Sequence, residues 1–284
     1  MKNLLQLNDV QALIEIALRE DIGSGDHSSL ACINQTKIGN AYCVAKDNGV
    51  ICGLDLAQFI FHKIDNTLVF ITNFKDGDII KIGDIVFTVE GKSISILTAE
   101  RLVLNFCQRL SGVATQSRNI SNLIKDYKTK VLDSRKTTPG MRLFEKYAVK
   151  VGGSFNHRIG LYDMIMLKDN HIDFAGGIKQ AIEQTHAYLK ANQLDLKIEI
   201  ETRSLEEVKQ VLAVGGVNRI MLDNFTPDLL KQAVDLIDGA YETEASGGIT
   251  INTITDFAKA GVDFISIGAL THSAKSIDLS LKVS

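Results

Sequence analysis

The hydrophobic and polar positions divide the chain into stretches of different period. From Asn8 to about Arg19, Val10, Leu13, Ile14, Ala17 and Leu18 recur at the i, i+3, i+4, i+7 spacing of a helix with one buried face, and Asn8 is suited to cap it. The stretch ends in Glu20-Asp21-Ile22-Gly23-Ser24-Gly25-Asp26, a loop composition. Residues 38–97 instead carry short β-rich runs between glycines: Ala41–Ala45, Val50–Ile51, Leu68–Phe74, Ile79–Ile80, Ile85–Val89 and Ser93–Leu97. Asp76-Gly77-Asp78 and Lys81-Ile82-Gly83-Asp84 read as turns, so a small antiparallel α+β unit is expected. A helix capped by Thr98 and running to about Leu110 should follow.

From about Thr129 the pattern changes again. Short apolar runs at Lys130–Leu132, Met164–Leu167, Leu196–Ile200, Arg219–Leu222, Tyr241–Ala245 and Phe264–Ile267 alternate with helical stretches such as Leu205–Val214 and Pro227–Ile237. Such alternation implies parallel strands with crossover helices. Six units, with a seventh around Ser154–Ile159, suit an α/β barrel better than an open sheet. No G-x-G-x-x-G or P-loop follows any strand, which disfavours nucleotide-binding open sheets.

Bulk properties narrow the class. With 284 residues, 45% of them hydrophobic and 23% charged, the chain can bury a proper core and is not compositionally disordered. A net charge of −3 offers no global field for nucleic acid. No apolar run approaches the roughly 18 residues that span a bilayer, and the acids within the first helix disfavour a signal peptide. Cys32, Cys43, Cys52 and Cys107 form no CxxC pair and no metal-ligand spacing with histidine. Reduced, mostly buried thiols in a soluble cytoplasmic protein are expected.

In α/β barrels the chemistry collects where strands end. Here the strand ends read Asp133-Ser134-Arg135-Lys136, Lys168-Asp169-Asn170-His171, Glu201-Thr202-Arg203, Asp223-Asn224, Ser246-Gly247-Gly248 and Gly268-Ala269. One polar strand end means only that the chain exits into solvent; six with this composition point to a shared polar cavity. Its charge is sorted. Between Arg135 and His171 seven Lys/Arg face three acids, giving +4 in a chain of −3 and leaving −7 elsewhere. Lys146 and Lys150 are expected on a solvated helix face. Arg135, Lys136, Arg158 and Lys168 sit where a ligand with several negative groups could reach them, with His157 and His171 able to add charge.

Ser246-Gly247-Gly248, read as opening a helix at about Ile249–Thr250, and Gly268-Ala269 suggest backbone grips for a phosphate. Glu201 and Asp223 supply opposing charge for a metal ion, sugar hydroxyls or a developing cation. Glu199 lies two residues before Glu201 and so shares its strand face, but Glu201 lies nearer the strand end. Arg101, in the first turn of the expected Thr98 helix, opposes the helix dipole and could attract an anion there.

These segments resemble quinolinate phosphoribosyltransferases, also called carboxylating nicotinate-nucleotide pyrophosphorylases. The resemblance rests above all on the run Asp133–Arg142, and on Gly152–Arg158 continuing to Asp163, Leu167–Ile172, Ile198–Glu201, Leu222–Phe225 and Glu244–Ile249. Glu20–Asp26 and Thr98–Arg101 match as well, so it covers nearly the whole chain. Departures, such as Ser134 in place of threonine and Lys275 in place of proline, remove no pocket charge.

The resemblance implies an incomplete, TIM-like α/β barrel at 113–271, preceded by a small α+β sandwich-type domain at 1–112 onto which 272–284 packs back. It implies transfer of a phosphoribosyl group from phosphoribosyl pyrophosphate to the ring nitrogen of quinolinate. Nicotinate mononucleotide, pyrophosphate and CO2 would result, with Mg²⁺ required, in NAD biosynthesis. Arg135, His157, Arg158 and Lys168 would hold quinolinate, joined by Arg101 from across a homodimer interface. Lys136 and Lys168 would face the pyrophosphate, Glu201 and Asp223 the ribose and, directly or through water, the metal. Ser246, Gly247, Gly248 and Gly268 would hold the 5′-phosphate. Three rivals stay open: a relative of altered specificity, such as those associated with molybdenum transport, a sugar-phosphate isomerase or aldolase, and a non-catalytic anion binder.

Overall fold

The computed structural model describes residues 1–284. The strands are β1 (Ile38–Ala45), β2 (Gly49–Val50), β3 (Val69–Ile71), β4 (Ile79–Ile80), β5 (Ile85–Lys92), β6 (Lys130–Leu132), β7 (Ile165–Leu167), β8 (Ile198–Thr202), β9 (Arg219–Asp223), β10 (Glu242–Ser246), β11 (Phe264–Ser266) and β12 (Leu279–Val283). The helices are α1 (Asn8–Ile22), α2 (His27–Cys32), α3 (Leu54–Ile64), α4 (Ser93–Leu123), α5 (Arg142–Gly152), α6 (Asp169–Ala175), α7 (Ile178–Asn192), α8 (Leu205–Val214), α9 (Pro227–Ile237), α10 (Ile254–Lys259) and α11 (Ala269–His272).

Two compact units result. One comprises Met1–Arg118, Thr137–Gly153 and Leu270–Ser284; the other comprises Asn119–Lys136 and Ser154–Ala269. The first unit thus extends past residue 112 and takes in Thr137–Gly153, which a division at 112/113 would assign to the barrel. The reason is packing: a Cβ at Gly152 would lie 2.3 Å from Ala114 O, and buried Glu145 pairs with Arg109 at 2.7 Å.

The first unit is built on an antiparallel sheet of order β12-β1-β5-β3. β12 enters it beside β1, with Ala41 opposite Val283 and Ala45 opposite Leu279. The helix α3, absent from the sequence reading, covers this core with Leu56, Ala57, Ile60 and Phe61, all fully buried. Phe61 packs against Phe70 and Phe87 with ring centroids 6.1 Å apart in each case. The start of α3 is held by a residue distant in sequence: Asp76 Oδ1 accepts from the backbone N–H groups of Gly53 and Leu54, at 2.9 and 3.0 Å. No local capping residue announces it.

Ser93–Leu97 is helix, not strand. α4 begins at Ser93, so Thr98 does not cap it. Buried Ile96, Ala99, Val103, Cys107, Leu110 and Ala114 follow the helical period from the outset, and the Ile94-Ser95-Ile96 alternation only imitates a strand. α1 starts at Asn8 as expected, but Leu7 is its cap and Asn8 makes no capping bond.

The second unit is a six-stranded parallel sheet of order β6-β11-β10-β9-β8-β7. Phe155 adds a single parallel bridge to Leu132 beside β6, in place of the expected seventh strand. β6 and β7 therefore end the sheet, which curls without closing: an incomplete α/β barrel. The crossover helices carry their own start signals. Thr226 Oγ1 accepts from Leu229 N at 3.3 Å ahead of Pro227, and Ser204 Oγ accepts from Glu207 N at 3.2 Å. Leu230, Ala233 and Ile237 then bury one face of α9. No helix is long and apolar enough to cross a membrane.

Candidate functional site

β6 delivers the chain into Asp133, which is fully buried and acts as a fastener. Its backbone N–H donates to Phe155 O at 3.0 Å, and its Oδ1 accepts from His157 N at 2.8 Å. The 155–157 segment is thereby tied to the end of β6. Ser134 Oγ accepts from Lys136 N at 3.0 Å and bends the next residues into a tight turn, leaving Arg135 half-buried and Lys136 exposed. The rest of the motif belongs to the first unit. There Glu145 Oε2 accepts from Thr138 N at 3.0 Å and Oε1 from Thr138 Oγ1 at 2.8 Å, while Arg142 Nε donates to Thr137 Oγ1 at 3.1 Å. Glu145 organises this loop and was not singled out in the sequence. Its signal was its place beside Phe144 on a helix face that buries apolar residues.

Lys146 departs from expectation. It is 1% exposed, not solvated, because it falls on the buried side of α5 with Phe144 and Glu145; Lys150 is exposed as expected. Arg101 is exposed, but it lies more than two turns into α4. The helix N-terminus therefore gives it no help in attracting an anion, since the dipole acts only within the first turn.

His157 is buried and lies inside the barrel. Its Nε2 is 3.0 Å from Glu199 Oε2 and 3.5 Å from Glu244 Oε2. Its Nδ1 accepts from Arg158 N at 2.7 Å. Both ring nitrogens thus face protein groups, so a ligand would meet His157 only through its ring face or through Arg158. Burial works against charging the ring, but hydrogen bonding and charge from Glu199 and Glu244 prevail and push it up to about 9. The Arg158 contact opposes this, because a doubly protonated ring has no acceptor at Nδ1.

Burial, together with the charge of Glu244, raises Glu199 to about 7. Burial acts on Glu244 too, but His157 and Arg219 hold it below the ordinary carboxylate value. Arg219 Nη1 lies 2.8 Å from Glu244 and 4.0 Å from Glu199, and its guanidinium stacks 4.0 Å from the Phe264 ring centroid. Candidate metal-ligating atoms of His157, Glu199 and Glu244 lie within 4.8 Å of one another, yet Arg219 already supplies the compensating cation there.

Arg158 Nη1 donates to Met164 O at 3.1 Å, and Asp163 accepts from the N–H groups of Ile159 and Gly160 at 2.7 and 2.8 Å, shaping the loop around it. Burial, followed by repulsion from Arg135, lowers the Arg158 pKa. The structure therefore brings Arg135 and Arg158 together as like charges.

The opposing carboxylates also meet. Burial and the charge of Asp223 raise the Glu201 pKa, with Lys168 acting the other way. Lys168 Nζ stands 4.0 Å from Glu201 Oε2 and is half exposed. Asp223 Oδ1 accepts from Ser246 Oγ at 2.5 Å, which joins the ends of β9 and β10. Ser246 is the last residue of β10, and Gly247 and Gly248 follow with φ of 89° and 62°. These left-handed values favour glycine. No helix opens at Ile249–Thr250; α10 starts at Ile254 and has six residues. Any anion grip at Ser246–Gly248 thus rests on the turn's own N–H groups and not on a helix dipole. Gly268 follows β11 just ahead of α11. Two cavities of about 400 and 390 Å³ lie elsewhere, one in the first unit beside Phe70 and Asp76, the other at the opposite strand ends beside Lys130 and Glu242.

Known proteins share this arrangement. Residues 26–111 match the N-terminal domain of the family described as quinolinate phosphoribosyl transferase, and residues 113–282 match its C-terminal domain. The chain is 44% identical to the chloroplastic nicotinate-nucleotide pyrophosphorylase [carboxylating] of Arabidopsis thaliana, over 97% of this chain and 83% of that protein. It is 40% identical to a probable nicotinate-nucleotide pyrophosphorylase [carboxylating] of Bacillus subtilis (99% and 94%). Among solved structures, NadC of Streptococcus pyogenes superposes with a TM-score of 0.92 at 42% identity, covering 97% of this chain and 96% of that one. The nicotinate-nucleotide pyrophosphorylase of Francisella tularensis gives 0.91 at 40% identity (98% and 96%). With both domains matched and the relatives aligned nearly end to end, the chain belongs to the quinolinate phosphoribosyltransferase family.

Proposed function

We propose that this protein transfers the phosphoribosyl group of phosphoribosyl pyrophosphate to the ring nitrogen of quinolinate, releasing pyrophosphate and CO2 and leaving nicotinate mononucleotide for NAD biosynthesis. The observation that carries this is the charge gathered at the strand ends of a chain of this family: Lys168 Nζ stands 4.0 Å from Glu201 Oε2, and Arg135 and Arg158 act on each other as like charges, a set that suits a ligand with two negative groups. A pyridine dicarboxylate fits that demand better than a singly charged acid or a sugar phosphate alone.

In this reading Arg135, Arg158 and Lys168 hold the two carboxylates, with His157 fixing the backbone of Arg158. Lys136 and Lys168 meet the pyrophosphate. As pyrophosphate leaves, positive charge grows on the ribose, and Glu201 and Asp223 stabilise it from the strand ends. The quinolinate nitrogen then attacks the ribose carbon. Once the nitrogen is quaternary, it stabilises the electron pair left on the neighbouring ring carbon as the C–C bond to CO2 breaks, and that carbon then takes a proton from water, so no general base is needed. Ser246, Gly247, Gly248 and Gly268 take the 5′-phosphate. Two neighbouring carboxylates, Glu201 raised by burial and by the charge of Asp223, form a donor set that fits Mg²⁺ directly or through water. Bound Mg²⁺ would neutralise the pyrophosphate as it departs.

The proposal includes a homodimer in which Arg101 of the partner subunit completes the quinolinate site, and a cytoplasmic location. Exposed Ile71, Ile79, Ile82 and Ile85 in the first unit favour association, and four free cysteines accord with a reducing compartment.

Purified protein with Mg²⁺ is expected to consume quinolinate and release CO2 only when phosphoribosyl pyrophosphate is present. Equal use of nicotinate in place of quinolinate would refute the substrate assignment. For the shared site, Arg101→Ala and Arg135→Ala proteins, each inactive, should regain some activity when mixed and allowed to exchange subunits. No recovery after demonstrated exchange would exclude the arrangement.

A further inference from the structure

Asp223 is held at both carboxylate oxygens. Ser246 Oγ donates to Oδ1 and Asn224 Nδ2 donates to Oδ2, each at 2.5 Å. The two donors are not equivalent. A serine hydroxyl carries one proton. If Ser246 meets the 5′-phosphate as proposed above, that proton turns to a phosphate oxygen and Asp223 Oδ1 becomes an open acceptor. Asn224 Nδ2 donates to the other oxygen, Oδ2, so this contact remains when the Ser246 hydroxyl turns away.

Asn224 itself sits in an unusual backbone conformation. Its φ is 58°, in the left-handed region, shared among non-glycine residues only with Gln193 and Asp238. Those two close helices, whereas Asn224 follows a strand. Asparagine tolerates this region better than most residues. Its backbone N–H donates to Ser246 O at 2.9 Å, which fastens the turn after β9 to the end of β10. Its amide covers Gly247 closely: a Cβ on Gly247 would lie 2.2 Å from Asn224 Oδ1 and 2.8 Å from its backbone nitrogen. One residue therefore touches Asp223, the Ser246 backbone and the first glycine of the proposed phosphate grip.

We infer that Asn224 is a positioning residue of the phosphoribosyl site, holding the Asp223 carboxylate toward the ribose while Ser246 exchanges partners. The inference rests on the proposed function. The left-handed turn alone does not require the amide, because glycine adopts it without steric cost. Asn224→Gly therefore keeps the turn and removes only the side chain. Asn224→Asp keeps the size and the tolerance for the left-handed region but replaces the donor with a second carboxylate beside Asp223.

The test is calorimetric titration of wild type and both variants with nicotinate mononucleotide and, separately, with quinolinate, together with steady-state kinetics and thermal melting. Asn224→Gly should melt close to wild type and bind quinolinate unchanged. It should bind nicotinate mononucleotide about tenfold more weakly, a factor equal to about 1.4 kcal/mol. Its KM for phosphoribosyl pyrophosphate should rise by a similar factor while that for quinolinate holds. Asn224→Asp should lose more, and it carries the test if the glycine variant does not fold. Either folded variant binding nicotinate mononucleotide within twofold of wild type overturns the inference and leaves the functional reading intact. A wild-type protein that binds neither ligand overturns both.

Discussion

The Arg109–Glu145 pair offers a measurable link between a buried charge and the loop that carries half of the motif. Glu145 is completely buried, and Arg109 brings two donors to its Oε1, at 3.0 and 2.7 Å. Arg109 also donates to Ala274 O at 2.7 Å and Thr271 O at 2.6 Å, so one guanidinium ties α4 to α5, to α11 and to the segment after it. Replacing Arg109 by methionine keeps most of the volume and leaves a buried carboxylate with only the two Thr138 donors. Breaking a buried pair from one side costs about 3–5 kcal/mol, whereas exchanging both partners for apolar groups is often close to neutral. Arg109→Met should therefore lose about 3–5 kcal/mol, and Arg109→Met/Glu145→Leu distinctly less. The chain contains no tryptophan, so circular dichroism in a urea titration is the suitable measure. A single variant losing less than about 1 kcal/mol, or a double variant less stable than the single one, would refute the claim that an uncompensated charge sets the cost.

Two further predictions follow from the barrel. Gly247→Ala meets Asn224 Oδ1 at 2.2 Å and forces a side chain onto a φ of 89°. It should destabilise by about 1–3 kcal/mol and raise KM for phosphoribosyl pyrophosphate more than that for quinolinate; unchanged melting and kinetics would show that the turn can shift freely. His157 is raised to about 9 against an ordinary 6.5, so the folded protein binds its proton more tightly than the unfolded chain does. That stabilisation is complete below about pH 6.5 and is lost as pH rises through about 9. Urea midpoints measured from pH 6 to 9.5 should fall more for wild type than for His157→Gln. Parallel curves would mean that the Arg158 N–H contact keeps the ring neutral throughout.

Elements whose signals are local were legible in the sequence. β6 occupies Lys130–Leu132, and α8 and α9 occupy Leu205–Val214 and Pro227–Ile237, as the apolar runs and periods predict. α9 carries its Thr226-Pro227 start within itself. α3 was missed because its start is capped from Asp76 and because it lies amid short β-rich runs. Thr98 was misread as a cap because hydroxyl residues suit helix starts, but the buried period of α4 already runs through Ile96. The glycine pair after Ser246 was correctly read as a turn and incorrectly as a helix start; the five residues between it and α10 contain no helix.

The candidate site shows a subtler limit. Period two puts Glu199 and Glu201 on one strand face, and nothing local separates their environments. Register does. Glu199 pairs with Arg219 at the foot of β9, while Glu201 pairs with Met221, and Asp223 one step higher pairs with Ser246. The barrel interior is thus a charged column sorted by height. At its foot Arg219 reaches Glu242, Glu244 and Glu199, with Glu199 and Glu244 completely buried. At its rim Glu201, Asp223 and Lys168 remain accessible to a ligand. Filling the foot with apolar residues would remove a desolvation cost, so stability alone does not explain its charges. What they do provide is a fixed seat for His157 Nε2, which in turn presents Nδ1 to the Arg158 backbone. The buried acids and the half-buried Arg158 are therefore one mechanical unit. A substitution at Arg219, remote from any proposed ligand contact, should be felt first in the orientation of Arg158.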